Sequence, residues 1–182
     1  MRIGVYQGSF NPVHKGHIHL MDYLIDNNYL DKIIIVPSVS YWDKTITTPI
    51  KDRINMAKCI KRDYLIVEEE LNEIPYALDL LNRLSERYPN DELFFIMAAD
   101  NIIDFDKWYK YQELLKYKII VLNRNNINIK EYVNKYKSNN FIIVQNFDYI
   151  NISSTEIRNN KDNTYLDNNV LSYIINKHLY GR

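Results

Sequence analysis

The feature that most limits the fold is an alternation of short apolar segments with longer amphipathic ones. Six short segments are rich in the residues of buried strands: 2–6, 32–36, 64–67, 92–97, 118–122 and 141–144. Helical patterns separate them at residues 16–27, 49–61, 75–88, 107–116 and 130–137. Because parallel strands need such crossovers, the sequence predicts an α/β fold, a doubly wound parallel sheet with flanking helices.

Prolines mark the start of two of these helices. Pro49 and Pro75 each precede an amphipathic stretch. Proline suits the first helical position, where its missing N–H costs nothing, so we expect both helices to begin there. A last helix is predicted over residues 167–179, with Val170 and Ile174 on its apolar face.

Length and composition limit the class of protein. The 182 residues suffice for one continuous core without a linker or repeat, so we expect one domain, with a C-terminal helical segment from about residue 153. Lys and Arg total 23, as do Asp and Glu, which gives no argument for nucleic acid or a membrane as main partner. A single cysteine, Cys59, and ends without a signal or spanning segment favour a cytoplasmic protein. A homo-oligomer stays open.

The first predicted strand leads through a glycine-containing turn into a helix, over residues 4–17. Such a turn is where open α/β sheets bind ligands, and a helix N-terminus attracts phosphate through unpaired N–H groups and its dipole. Gly8 lets the backbone approach a ligand, and Gly16 leaves space between the histidines. His14 and His17 are predicted to reach one pocket, donate hydrogen bonds to phosphate oxygens and, from a reference pKa near ~6.5, gain positive charge.

A simpler interpretation of two histidines at a helix start is capping and packing. Gly8, with the strand before it and the helix after it, favours the functional interpretation for His14 and His17. His19 and His178 lack this setting, so we expect structural or surface roles for them.

A second candidate phosphate segment follows the last predicted strand. Ser153 and Glu156 have the spacing of a capping box, which by itself explains both residues. Arg158 is unexplained by capping, because a guanidinium in the first turns of a helix opposes the dipole, whereas triphosphate oxygens at the helix start would attract it. Ser154 offers its hydroxyl or N–H to the same oxygens.

The two segments resemble the motifs of one superfamily. His14-x-Gly16-His17 after a strand is similar to the HxGH signature of the nucleotidylyltransferases, and residues 152–158 resemble their ISSTxIR motif at every fixed position. The resemblance implies a Rossmann-like fold, with ATP contacted by Gly8, Ser9, Phe10, Gly16, Asp100, Ser153, Ser154 and Arg158. The related HIGH motif of class I aminoacyl-tRNA synthetases leaves the substrate open, but a tRNA ligand is disfavoured by the short, neutral chain.

Further segments resemble bacterial nicotinate-mononucleotide adenylyltransferases. Residues 94–101 and 108–115 are similar to that family's strand ending in Gly-Ala-Asp and its Trp-Tyr helix. The likeness implies that Asp100 contacts a ribose and that Trp108 stacks on the pyridine ring, although Trp108 also suits a core anchor. It assigns the acceptor to Lys44, Tyr76, Ala77, Asp100, Trp108 and Tyr109. Departures from the family pattern stand at Gln7, Asn11, Ala77 and Ala98, and in the loop of residues 37–44.

The implied reaction is adenylyl transfer from ATP to nicotinate mononucleotide, giving deamido-NAD and pyrophosphate. His14, His17, Lys44 and Arg158 are its expected catalytic donors. Mg²⁺ is expected to arrive with ATP, held by phosphates and water rather than by protein side chains. Nicotinamide mononucleotide or phosphopantetheine as the acceptor, and a non-catalytic nucleotide-binding protein, stay open as alternatives. For Arg53, one turn beyond Pro49, a solvated helix face is expected rather than phosphate binding.

Overall fold

The computed structural model describes residues 1–39, 48–124 and 127–182. Within them, six strands form one parallel sheet: β1 (Arg2–Gly8), β2 (Lys32–Pro37), β3 (Leu65–Val67), β4 (Glu92–Ala98), β5 (Lys118–Leu122) and β6 (Phe141–Val144). The strand order is β3-β2-β1-β4-β5-β6. The predicted doubly wound, Rossmann-like sheet is confirmed, and its strand order reverses between β1 and β4, where such sheets bind ligands.

Helices cover both faces of the sheet. They are α1 (Lys15–Asp26), α2 (Ile50–Lys58), α3 (Ala77–Arg87), α4 (Tyr111–Leu114), α5 (Ile129–Asn134), α6 (Ser154–Asn160) and α7 (Asn168–Asn176). Short 3₁₀ turns lie at Ala99–Ile102, Phe105–Lys107 and Leu179–Gly181. Alternate residues of each strand point to opposite faces, so α1, α2, α6 and α7 share one apolar core with the sheet, and α3, α4 and α5 share the other.

Both proline expectations are wrong by one or two residues. α2 begins at Ile50, and Pro49, with a ψ of 143°, is its N-cap. α3 begins at Ala77, because Tyr76 stays extended with a ψ of 131°. The ring of Tyr76 stacks on that of Tyr109 with centroids 4.3 Å apart, a contact made from this extended position.

The predicted helix over residues 107–116 is also wrong in its length. Trp108 is extended and Lys110 has a φ of 48°, so the segment divides into the turn Phe105–Lys107 and α4. The last helix ends at Asn176 rather than near 179, because His178 takes a φ of 52°. Val170 and Ile174 are buried on its inner face, as predicted.

Candidate active site

The N-terminus of α1 holds His14 and His17 against each other. His14 is the N-cap, and its Nδ1 accepts a hydrogen bond from the Gly16 N–H at 3.1 Å. The Nδ1 of His17 accepts one from the His14 N–H at 3.2 Å. The two ring centroids lie 3.7 Å apart. A β-carbon added to Gly16 would lie 3.0 Å from the His14 ring, so this glycine leaves the space that the pair needs.

Both histidines are neutral and carry their proton on Nε2. A backbone N–H can only donate, so the Nδ1 that receives it is unprotonated. Burial, followed by the Arg124 guanidinium, lowers the pKa of His14 to about 4. Burial, then His14 and Arg124, lower the pKa of His17 well below its usual value. Without a ligand the two imidazoles are therefore uncharged, because burial penalises the charged form, and they offer Nε2–H donors. That they gain positive charge beside bound phosphates stays a prediction.

The loop between β1 and α1, residues 9–12, is held by side chains from distant segments. Phe10 has a φ of 44° and a ring that is 2% exposed. The Ser9 carbonyl before it accepts a hydrogen bond from Arg53 at 2.8 Å, and the Asn11 carbonyl after it accepts one from Arg158 at 2.5 Å. Bonds on both sides thus stabilise a left-handed conformation that bulky residues avoid. We call residues 9–12 the first loop.

Arg53 is buried, not on the solvated helix face that we expected. Its residue is 3% exposed, and burial lowers the pKa of its guanidinium. Its Nη1 donates to the carbonyls of Ser9 and Ser38, at 2.8 and 2.7 Å, while its Nε has no hydrogen-bond partner among the described residues. The carbonyls of two loops draw the guanidinium inward, so Arg53 joins the segments that follow β1 and β2.

The second candidate segment packs directly on the first loop. Ser153 Oγ accepts from the Glu156 N–H at 3.2 Å and the Glu156 carboxylate accepts from the Ser153 N–H at 2.8 Å, so the predicted capping box is present. The Ser154 hydroxyl donates to the Pro12 carbonyl at 2.8 Å. Arg158 donates to the Asn11 carbonyl. Two segments about 140 residues apart in sequence therefore meet through two residues of the second, Ser154 and Arg158.

The dipole argument for Arg158 is wrong. α6 ends at Asn160, so Arg158 lies in its last turn, where a positive charge is favourable. Besides the Asn11 carbonyl, its guanidinium reaches Thr155 Oγ1 at 3.2 Å. What distinguishes Arg158 is its place at the contact between the two segments.

A cavity of about 260 Å³ lies between the segments at the carboxyl edge of the sheet. The first segment contributes Ser9, His14, Gly16 and His17 to its wall, and the second contributes Ser153, Ser154 and Thr155. Asn123 and Arg124, which follow β5, complete this wall together with apolar residues of the neighbouring elements. Hydroxyl, imidazole and guanidinium groups, all of which can donate hydrogen bonds, thus line one cavity.

Two further cavities continue from the first. A cavity of about 230 Å³ shares Tyr6, Ser9, His17, Ala98 and Arg124 with it, and also touches Gly8 and Phe10. A third, of about 760 Å³, shares Gln7 and Trp108 with the second. The three form a row along the edge of the sheet, from the histidine pair to Trp108.

The third cavity contains four of the six residues assigned to the acceptor. Tyr76, Ala77, Trp108 and Tyr109 line it, beside Pro75. Trp108 packs edge-on against Phe95, with centroids 5.9 Å apart, so it is a core anchor and a wall residue at once. Within the described parts of the chain, no side chain caps α3, whose first N–H groups begin at Ala77 beside this cavity.

Three predicted residues stand apart from these walls. Arg158 lines none of the three cavities, since its guanidinium is bonded to the Asn11 carbonyl and to Thr155 Oγ1. Asp100 lies in the turn after β4 and lines none of the three cavities; one carboxylate oxygen is 3.8 Å from the Arg124 guanidinium, which does line two of them. Lys44 lies outside the described residues.

A family model described as cytidylyltransferase-like matches residues 5–160 of the chain. A probable nicotinate-nucleotide adenylyltransferase of Fusobacterium nucleatum is 37% identical over 171 residues, which cover 90% of this chain and 89% of that protein. The chain belongs to the nicotinate-nucleotide adenylyltransferase family. This family lies within the cytidylyltransferase-like proteins and consists of nucleotidyltransferase enzymes, so the predicted resemblance is confirmed.

Other members of the family agree in length and fold. The probable nicotinate-nucleotide adenylyltransferase of Aquifex aeolicus is 34% identical over 176 residues, 86% of this chain and all of that protein. The nicotinic acid mononucleotide adenylyltransferase of Plasmodium falciparum, solved in complex with NaAD, superimposes with a TM-score of 0.81 at 25% identity. That superposition covers 99% of this chain and 97% of the other.

Sequence reasoning missed several wall residues. Arg124 faces both the first and second cavities, yet its only sequence signal is its place two residues after β5, at the carboxyl edge of the sheet. Two more wall residues, Tyr6 and Gln7, lie near the end of β1. From the sequence, Tyr6 is predicted only as part of a strand, and Gln7 is noted only as a departure from the family pattern.

No helix in the described part of the chain is long and apolar enough to cross a membrane.

Proposed function

We propose that this chain transfers the adenylyl group of ATP to the 5′-phosphate of nicotinate mononucleotide, giving deamido-NAD and pyrophosphate. The observation that carries the proposal is the row of cavities from the His14–His17 pair to Trp108. It offers phosphate donors at one end and a wall of aromatic side chains at the other. The Plasmodium family member solved with NaAD supports a dinucleotide lying along such a row.

The chemistry asked of the protein is positioning and charge stabilisation. The acceptor phosphate is ionised at about pH 7, so it needs no general base. It attacks the α-phosphorus in line, and pyrophosphate leaves from the opposite side. The Nε2–H groups of His14 and His17 would donate to oxygens whose charge grows in the transition state. Arg158 and Lys44 would meet the phosphates by their likeness to the family; Arg158 lines none of the three cavities itself but bonds the first loop beside them. Ser153 and Ser154 line the first cavity.

Magnesium enters this proposal with ATP. Across residues 1–39, 48–124 and 127–182, no three His, Cys, Asp or Glu side chains gather where they would hold a metal ion. Phosphate oxygens and water satisfy Mg²⁺ well, so the triphosphate itself would carry the ion in the first cavity. When bound, it neutralises phosphate charge.

The acceptor end follows from α3 and the aromatic residues. The uncapped N-terminus of α3, at Tyr76 and Ala77, suits the nicotinate carboxylate, because its N–H groups point out of the helix start. Trp108 supplies an aromatic face, and Tyr109 is joined to Tyr76 by stacking. Asp100 would reach a ribose only through the edge of the second cavity, beside Arg124. We place the reaction in the cytoplasm, where ATP and pyridine mononucleotides occur together.

A panel of acceptors tests the proposal. The purified chain is given ATP and Mg²⁺ with nicotinate mononucleotide, nicotinamide mononucleotide or phosphopantetheine, and pyrophosphate release is measured. We expect release only with an acceptor, and about tenfold faster with the nicotinate than with the nicotinamide form, since only the former carries a charge for the α3 N-terminus. Fastest release with another acceptor would reassign the substrate. Binding of ATP without release in any case would identify a non-catalytic binding protein.

A further inference from the structure

The C-terminal turn, Leu179–Gly181, contacts the first loop through Tyr180. The Tyr180 hydroxyl donates to Asn11 Oδ1 at 2.6 Å, across 169 residues of sequence. Asn11 is 2% exposed, so this bond is made away from solvent. Burial raises the pKa of Tyr180 to about 12, so its hydroxyl keeps the proton that it donates.

The same turn is also fastened to α6. Arg182 donates to the Ile157 carbonyl at 2.9 Å, and Lys161, just after α6, donates to the Gly181 carbonyl at 2.9 Å. Tyr180 and Gly181 have φ values of 57° and 69°. Left-handed residues persist where surrounding contacts impose them, and here the contacts join the turn to both candidate phosphate segments.

Three backbone carbonyls of the first loop accept hydrogen bonds from side chains of other segments. Arg53 binds the carbonyl of Ser9, Arg158 that of Asn11, and Ser154 that of Pro12. Tyr180 alone reaches the Asn11 side chain among the hydrogen bonds of the described residues. Because Phe10 between these anchors is left-handed, a loosened loop would relax toward other conformations.

We propose that Tyr180 is a positioning residue that holds the first loop, through Asn11, in the shape that receives the triphosphate. The inference rests on the proposed function, since it assigns the loop to ATP. Tyr180 lines none of the three cavities, so it acts on the substrate through Asn11 and not by touching it. A loop that is already ordered binds ATP without a further entropy cost.

Tyr180→Phe tests this inference, because it keeps the ring and removes the hydroxyl, which also lies 3.9 Å from Met56 Sδ and bonds Thr48. We expect the KM for ATP to rise about tenfold, since a buried Asn11 oxygen is left without a partner, while the KM for nicotinate mononucleotide stays within about twofold. Tyr173→Phe is the matched control. It removes a hydroxyl on α7 that bonds Asp52 at 2.7 Å and Asn55 at 2.9 Å, away from the first loop.

A double-mutant cycle separates positioning from plain loss of stability. In an Asn11→Ala background, Tyr180→Phe should leave the KM for ATP unchanged, because their shared bond is already gone. Equal KM values for ATP in wild type and Tyr180→Phe, or an equal rise in Tyr173→Phe, would overturn the inference. Wild-type pyrophosphate release with an acceptor is measured in the same series, so failure of the proposed function would show there first.

Discussion

At the scale of single residues, the site depends on which histidine nitrogen is free. Backbone N–H groups occupy Nδ1 of both His14 and His17, which fixes the tautomer and leaves each Nε2–H as a donor. Such a donor is set before ATP binds, and a donor that need not reorganise gives the larger stabilisation of developing charge. In the proposed reaction, the helix cap and the chemistry would therefore use opposite sides of the same rings.

His17→Ala should reduce turnover far more than ATP affinity. Loss of one preorganised donor to transition-state charge costs about 100-fold in kcat, whereas ground-state contacts to a bound triphosphate are shared among many groups. Turnover is measured by pyrophosphate release and ATP affinity by titration. His19→Ala is the control on the same helix, since its ring bonds the Asp148 carbonyl. Turnover equal to that of the wild type would remove His17 from the catalytic role.

The buried histidines should also make stability fall in mild acid. The pKa of His14 is about 4 when folded and near ~6.5 when unfolded, so the unfolded chain binds more protons between these values. The contribution of the neutral His14 ring to the free energy of unfolding is fully present above about pH 6.5. It falls as the pH is lowered toward 4, by about 1.4 kcal/mol per pH unit. Urea unfolding of wild type and His14→Asn, which can still cap α1, should show a shallower slope in the variant. Parallel curves would contradict the assignment.

At the scale of elements, strands were easier to predict than helices. All six strands lie within one or two residues of their predicted bounds, because buried parallel strands are apolar along their whole length. The helix predicted over residues 107–116, after β4, is wrong in its length, since Trp108 is extended and packs against Phe95. Tertiary contacts of one aromatic ring thus outweighed a helical pattern.

The same limit applied to the site. Motif residues such as His14 and Ser153 could be found because their local neighbours, a turn and a helix start, are encoded beside them. Arg53 and Tyr180 could not, since their partners are 44 and 169 residues away. For Arg158 the phosphate role stays a prediction, and the dipole argument for it is wrong because the sequence does not show where α6 ends.

The turn that carries Trp108 should control the acceptor rather than ATP. Trp108→Ala removes an aromatic wall of the third cavity, and we expect the KM for nicotinate mononucleotide to rise about tenfold with little change in the KM for ATP. Tyr111→Ala is the control from the same segment, because Tyr111 packs on Phe105, 5.8 Å between centroids, and is not a wall residue of this cavity. Equal changes in the two KM values would instead indicate a general packing role.

At the scale of the whole molecule, the sheet topology explains why one edge carries the site. The strand order reverses between β1 and β4, so the chain after β1 and the chain after β4 depart to opposite faces and leave a crevice. The histidine pair follows β1, the aromatic turn follows β4 and Arg124 follows β5. The segment after β6 then returns to close the crevice, with α6 packed on the first loop.

In the proposed function, two segments distant in sequence, residues 8–17 and 153–158, bind one triphosphate together. Hydrogen exchange of the backbone amides, measured with and without a saturating non-hydrolysable ATP analogue and Mg²⁺, tests it most directly. We predict that residues 8–17 and 153–158 gain protection together, while α5 (Ile129–Asn134) stays unchanged as an internal reference. Protection of only one of the two segments by a bound analogue would contradict the account.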